Sequence, residues 1–140
     1  MKSDRVRKQV VDNPTVLVVE DDLDMLELLQ EILSHSGYCV ITAANVQDGI
    51  HMLETMTFCV VVTDLHLPDG NGNQILAHIR ETEAIHTQVI LCTGMELLPS
   101  LNHHDYDDYL TKPVCPDLLT DTVAACLETR GANIRREKVA

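Results

Sequence analysis

Apolar residues in this chain fall into short continuous runs, separated by longer stretches in which they recur every three or four positions. Thr15 to Val19, Cys39 to Ala43, Cys59 to Thr63 and Val89 to Cys92 are the continuous runs. They are rich in β-branched residues and lack polar alternation, the pattern of strands buried on both faces. Asp108 to Thr111 predicts a shorter fifth strand. The first helix opens at Asp22-Leu23-Asp24, where acids suit the helix dipole. It carries Leu26, Leu29 and Leu33 on one stripe, with Leu28 and Ile32 widening it, and stops at Gly37. Val46 to Thr55 predicts a second helix with Ile50 and Leu53 inward, and Ile75, Leu76 and Ile79 mark a third, ending near Glu81. Pro116 is placed to start the last, with Leu119, Val123 and Cys126 along one stripe and Leu118 and Leu127 beside it. The glycine-rich segment Leu67-Pro68-Asp69-Gly70-Asn71-Gly72 predicts a turn without regular structure. Gly94 to Asp108 is the least regular stretch, because Pro99 interrupts any helix and Asn102-His103-His104-Asp105 is polar. Residues 1–13 predict a flexible arm and residues 130–140 a flexible tail, leaving 14–129 as one domain.

Strands alternating with helices through short links predict an α/β fold: a doubly wound, five-stranded parallel sheet with helices on both faces. The strand ends then share one edge. The first strand ends in Glu20-Asp21-Asp22, the third in Asp64, the fourth in Thr93-Gly94 and the fifth in Lys112-Pro113. Two like charges about 4 Å apart repel by about 4 kcal/mol at an effective dielectric of about 20. A cluster of Glu20, Asp21 and Asp64 therefore calls for a counter-ion. Mg²⁺ suits it, since it prefers a few carboxylates, waters and phosphate oxygens to a full protein cage. With such an ion Asp64 can act as a carboxylate nucleophile toward phosphorus. Lys112 can supply a cation to the phosphoryl oxygens, Thr93 a hydroxyl donor, and Gly94 the room beside them.

Composition sharpens this picture. The chain has 140 residues, 45% hydrophobic and only 3% aromatic, so its core must be aliphatic. The formal net charge is -12. From Pro14 to Thr129 there are nineteen acidic residues against two basic ones, Arg80 and Lys112. Such a body repels nucleic acid and anionic membranes, which argues against direct nucleic-acid binding by the core. The basic residues at the two ends, four at each, lack interleaved aromatics and read as solvated. Cys39, Cys59, Cys92, Cys115 and Cys126 are odd in number and contain no CxxC, which predicts free thiols acting as small core residues in a reducing compartment. No apolar run reaches the roughly 18 residues of a membrane span, and the start lacks a signal-peptide core, so a cytoplasmic location is expected.

Together, Val18-Val19-Glu20-Asp21-Asp22, Thr63-Asp64-Leu65-His66-Leu67-Pro68, Cys92-Thr93-Gly94 and Tyr109-Leu110-Thr111-Lys112-Pro113 resemble the receiver domain of bacterial two-component response regulators, over roughly Thr15 to Thr129. The resemblance implies a flavodoxin-like sheet and a phosphoacceptor role for Asp64, supplied by a sensor histidine kinase or histidine phosphotransfer protein. It implies Mg²⁺ (or Mn²⁺) bound by Asp21, Asp64 and the His66 carbonyl, with Glu20 acting through water. It also implies a Thr93–Tyr109 switch pair, a cis Lys112-Pro113 bond, and modulation of the reaction by His66, Gly94 and Met95. The output would pass to a downstream effector protein. The implied protein is a self-phosphorylating acceptor rather than a turnover enzyme, acting as a monomer or weak dimer.

The chain departs from that pattern between Thr93 and Lys112, which is a few residues short, and at Pro99. The last helix, expected to end at Thr129, lacks the basic residues that support charge-paired dimers in the DNA-binding branch of the family. Two other functions fit parts of the pattern. One is an interaction module that keeps the fold without switching. The other is an aspartyl-phosphate phosphatase of the haloacid-dehalogenase type, which generally has a second Asp where this chain has His66.

Overall fold

A computed structural model describes residues 13–82, 86–94 and 106–139. Strand β1 (Thr15–Val19) leads to helix α1 (Leu23–His35), β2 (Cys39–Ala43), α2 (Val46–Thr55) and β3 (Val60–Asp64). A small antiparallel hairpin follows, β4 (His66–Leu67) and β5 (Gly70–Asn71), then α3 (Gly72–Glu81), β6 (Gln88–Thr93), β7 (Asp108–Thr111) and α4 (Pro116–Val139). The five longer strands form one sheet in the order β2-β1-β3-β6-β7, with every pair parallel. This is the doubly wound sheet the sequence predicts.

The strand runs are continuous because both faces are covered. Leu17, Val19, Val61, Val89 and Leu91 pack under α2 and α3, against Val46, Ile75, Leu76 and Ile79. Their neighbours Val16, Val18, Val60, Val62 and Ile90 face α1 and α4, against Leu29, Leu33, Leu119, Val123 and Cys126. Strand β3 is buried at all five positions. Burying one such aliphatic side chain is worth about 1.5–3 kcal/mol, so the central strands dominate the apolar contribution to stability.

Helix α1 begins at Asp22, whose side chain accepts from the amides of Asp24 and Met25. It ends at Gly37, whose φ of 94° is the left-handed conformation that glycine adopts at least cost. The Gly37 amide donates to the Ser34 carbonyl and the Tyr38 amide to the Leu33 carbonyl, closing the helix with a Schellman pair. Gly131, by contrast, does not stop the last helix. Among the described residues Gly37 is the only glycine with positive φ, and α4 continues through Gly131 to Val139. The tail expected to be flexible from residue 130 is therefore helical as far as 139. A glycine within a helix costs only about 1 kcal/mol relative to alanine. A hydrogen bond between His86 and Glu137 adds a tether, and Arg136 and Lys138 suit the negative end of the dipole.

Other expectations change as well. Part of the turn at 67–72 is the β4–β5 ribbon, and Gly72 already belongs to α3. Leu28 and Leu118 point to solvent rather than into the helix stripes. All five cysteines are free, but only Cys92 and Cys126 are buried; Cys39 and Cys115 are exposed. Among the described residues no helix is long and apolar enough to cross a membrane.

Candidate functional site

The parallel register brings the strand ends level. Val19 pairs with Thr63, Asp64 with Cys92, and Thr93 with Thr111. Glu20, directly after β1, is buried, and its amide donates to the Ala43 carbonyl. Asp64 ends β3, also buried. Lys112 follows β7; its amide donates to the Thr93 carbonyl at 2.8 Å, and the Lys112-Pro113 bond is cis. The Lys112 ammonium donates to Glu20 Oε1 and to Asp64 Oδ2, both at 2.9 Å. Carboxylate oxygens of Glu20, Asp21 and Asp64 lie within 4.8 Å of one another.

Three carboxylates thus face one ammonium. Burial pushes the Glu20 carboxyl above its ordinary range; the Asp64 charge adds to this, and the Lys112 hydrogen bond opposes it without cancelling it. For Lys112 burial works against the charge. The hydrogen bonds and charges of Asp64 and Glu20 outweigh burial and hold the ammonium well above the usual lysine value. The site is therefore a firmly charged ammonium set in a surplus of negative charge. Hard carboxylate oxygens at this spacing, one of them on exposed Asp21, suit a small divalent cation.

Thr93 is buried on the strand next to Asp64, with its hydroxyl 3.4 Å from the Gly94 carbonyl. Leu91 pairs with Tyr109 and Thr93 with Thr111, so Thr93 and Tyr109 lie on the same face of the sheet. The Tyr109 side of this pair is 38% exposed, so the ring is not a core residue in this conformation. His66 is exposed, with its backbone in the hairpin directly after Asp64 and Leu65. Gly94 follows Thr93 at the end of β6. The expectations for Met95, Pro99 and residues 102–105 lie outside the described residues. Cys92 sits behind the cluster, its thiol pushed up to about 12 by burial, with Lys112 opposing and Asp64 and Glu20 adding to the shift.

The hairpin is fixed from below. The Leu65 amide donates to the Cys92 carbonyl and the Gly72 amide to the Leu65 carbonyl. A Cβ on Gly72 would sit 2.7 Å from the Asp64 carbonyl oxygen, so only glycine lets α3 start this close to the strand end. Asn71 caps α3 in a reciprocal capping box with Gln74.

Two contacts near the site have no counterpart among the residues the sequence points to. The Asp69 carboxylate, at the hairpin tip, accepts from the Val46 amide at 2.8 Å and the Gln47 amide at 3.0 Å, at the start of α2. An aspartate in a Pro-Asp-Gly turn signals a side chain that seeks backbone amides. Sequence carries no sign that those amides lie more than twenty positions earlier. Tyr106 is buried in the α2–α3 core, and its hydroxyl donates to Asn73 Oδ1 in the first turn of α3. An isolated tyrosine in an otherwise polar stretch was the only available signal for that contact.

Known proteins share this fold. The model of the response regulator receiver domain matches residues 16–124. The transcriptional regulatory protein DltR of Streptococcus agalactiae is 32% identical over 124 residues, which span 86% of this chain and 54% of that protein. The alkaline phosphatase synthesis transcriptional regulatory protein PhoP of Bacillus subtilis is 31% identical over 117 residues, 82% of this chain and 49% of that protein. The chain thus spans about half the length of these relatives. Among solved structures, the signal receiver domain of an HD domain-containing protein from Pseudomonas fluorescens superposes with a TM-score of 0.79 at 26% identity, covering 89% of this chain and 93% of that one. A CheY-like receiver domain protein from Methanospirillum hungatei gives 0.78 at 25% identity, covering 87% and 99%. The sheet order, the clustered strand ends and the sequence match over most of its length agree: this chain belongs to the response regulator receiver domain family.

Proposed function

We propose that the chain is a phosphorylation-controlled switch in two-component signalling and that Asp64 accepts the phosphoryl group. The observation that carries this reading is the Lys112 ammonium shared by Glu20 and Asp64 at 2.9 Å each. Such a cluster has surplus negative charge, one fixed cation and a carboxylate at a strand end. In the transfer, an Asp64 carboxylate oxygen attacks the phosphorus of a phosphohistidine on a histidine kinase or phosphotransfer partner. The P–N bond breaks, its electron pair leaves with the imidazole, and an acyl phosphate forms on Asp64. Lys112 then lies within reach of the new phosphoryl oxygens, and the Thr93 hydroxyl can turn from the Gly94 carbonyl to donate to them.

Asp21, Asp64, the His66 carbonyl and, through water, Glu20 would hold Mg²⁺ or Mn²⁺. Such a cation supplies charge neutralisation to the phosphoryl oxygens. Burial of Asp64 and Glu20 keeps the carboxylate–ammonium geometry fixed, which matters because positioning and charge provide most of the catalysis in phosphoryl transfer. The signal would leave through a cytoplasmic effector protein, either by changed affinity or by onward transfer to a histidine.

Labelling with acetyl phosphate tests this. Intact-mass analysis should show one added phosphoryl group that requires Mg²⁺ and is lost in Asp64→Asn. Labelling that persists in Asp64→Asn, or that ignores Mg²⁺, would refute it. A second reading is an interaction module that keeps the fold with little switching. That reading predicts labelling without any change in partner affinity.

A further inference from the structure

We propose that Asp69 is a positioning residue for the phosphoacceptor site, anchoring the hairpin that carries the His66 carbonyl to the start of helix α2. The inference rests on the function proposed above and extends it to a residue outside the cluster. The hairpin begins two residues after Asp64 and pairs His66 with Asn71 and Leu67 with Gly70. At its base it is tied to the sheet by the Leu65–Cys92 and Gly72–Leu65 backbone bonds, and to its own helix by the Asn71–Gln74 capping box. Two-residue strands make few cross-strand bonds, and an isolated pair of strands is marginal in water. The tip therefore needs its own attachment.

Asp69 provides that attachment. Its two oxygens accept from two consecutive amides, Val46 and Gln47. These are N–H groups at a helix start, which have no partner within the helix. Two donors converging on a charged acceptor give a fixed orientation that a single neutral bond does not. The amides of Gln47 and Val46 also hold the Asp69 carboxyl below its usual range, so the acceptor stays ionised. Leu67, one residue before the turn, packs into the same core cluster as Val46, so an apolar contact accompanies the polar one. The backbone offered by His66 is thus located from two sides, by β3 and by α2.

Asn45 separates this role from ordinary helix capping. It is the N-cap of α2 and accepts from the Asp48 amide at 2.7 Å, at the same helix end but through a bond that stays within α2 and its cap. The experiment compares wild type, Asp69→Ala, Asp69→Asn and Asn45→Ala by amide hydrogen exchange over residues 66–71, by thermal unfolding and by titration with Mg²⁺ alone. Asp69→Ala should speed hairpin exchange and weaken Mg²⁺ binding, each by about tenfold, as for the loss of an outer partner of a metal ligand. Asp69→Asn, which keeps one good acceptor, should fall between it and wild type. Asn45→Ala should lower the melting temperature while leaving both readouts unchanged. Equal changes in Asp69→Ala and Asn45→Ala, or no change in Asp69→Ala, would overturn the proposal. A wild-type chain with no affinity for Mg²⁺ would refute the proposed function and the metal-positioning role together; hairpin exchange would then decide the anchoring alone.

Discussion

Replacing Lys112 with methionine removes the one ammonium from a site of three carboxylates while keeping an apolar stem of similar length. In the wild type, that ammonium is bonded to Glu20 and Asp64, whose side chains are 3% and 11% exposed. The carboxylate oxygens lie within 4.8 Å of one another, and at that upper limit two unit charges repel by about 3.5 kcal/mol at an effective dielectric of about 20. The folded variant can avoid this by binding a proton at Glu20, whose carboxyl is already raised by burial and by Asp64. From the ordinary glutamate value of 4.5, holding that proton at pH 7 costs at most about 3.5 kcal/mol. A destabilisation of about 3 kcal/mol at pH 7 is therefore expected, close to 10 °C in melting temperature for a chain this size.

The sign of the pH dependence follows from the direction of the Glu20 shift. A carboxyl raised on folding binds more protons in the native state, so stability falls as pH rises from the ordinary value through the folded one. Lys112→Met should therefore recover much of its deficit toward about pH 5, where a proton replaces the ammonium. Mg²⁺ should stabilise the variant more than the wild type, because the ammonium no longer competes for the carboxylates. Urea unfolding between pH 5 and 8, with and without Mg²⁺, tests both effects. Parallel pH profiles for variant and wild type would refute the electrostatic account.

Other outcomes follow from single contacts. Gly72→Ala places a Cβ 2.7 Å from the Asp64 carbonyl oxygen and should cost about 1–3 kcal/mol in urea unfolding, with slower acetyl phosphate labelling. Tyr106→Phe and Asn73→Ala each break the same hydrogen bond, so each should cost about 1 kcal/mol and the double variant less than their sum. In the native state, Cys39 and Cys115 should react with a thiol reagent well before Cys92 and Cys126, whose thiols burial pushes up to about 12. Mass spectrometry of partially modified chain would show the order, and early modification of Cys92 would contradict the packing. Thr93→Ala should keep the fold and slow the labelling of Asp64, and unchanged kinetics would exclude a role for that hydroxyl.

Sequence carried the fold well where burial is two-sided. A strand covered on both faces reads as one apolar run, so β1, β2 and β7 fall where expected and β3 and β6 differ by one residue at each end. The strand-end chemistry was legible for the same reason: once the strands are parallel, Glu20, Asp64 and Lys112 have little choice but to meet. Gly131 shows the limit. Gly37 and Gly131 both follow a run of helical spacing, but only Gly37 takes the positive φ that makes a glycine end a helix. Leu28 and Leu118 fit a helical stripe yet face outward, because spacing defines an arc wider than the buried contact. The β4–β5 ribbon is too short to show a period. Asp69 reaches amides from another unit of the chain, and no local pattern encodes that contact.

Helix α4 has 24 residues, which at about 1.5 Å each gives a rod of about 36 Å, while β6 spans only about 20 Å. The rod starts at Pro116, four residues beyond Lys112, and its last ten residues carry Arg130, Arg135, Arg136 and Lys138 on an otherwise acidic domain. The near half of the rod is held by Leu119, Val123 and Cys126, buried against the sheet, and its far end by the contact between His86 and Glu137. Its first turn thus lies beside the acidic strand ends while its cations sit at the other margin of the sheet, so a single helix keeps the two signs of charge apart along its length.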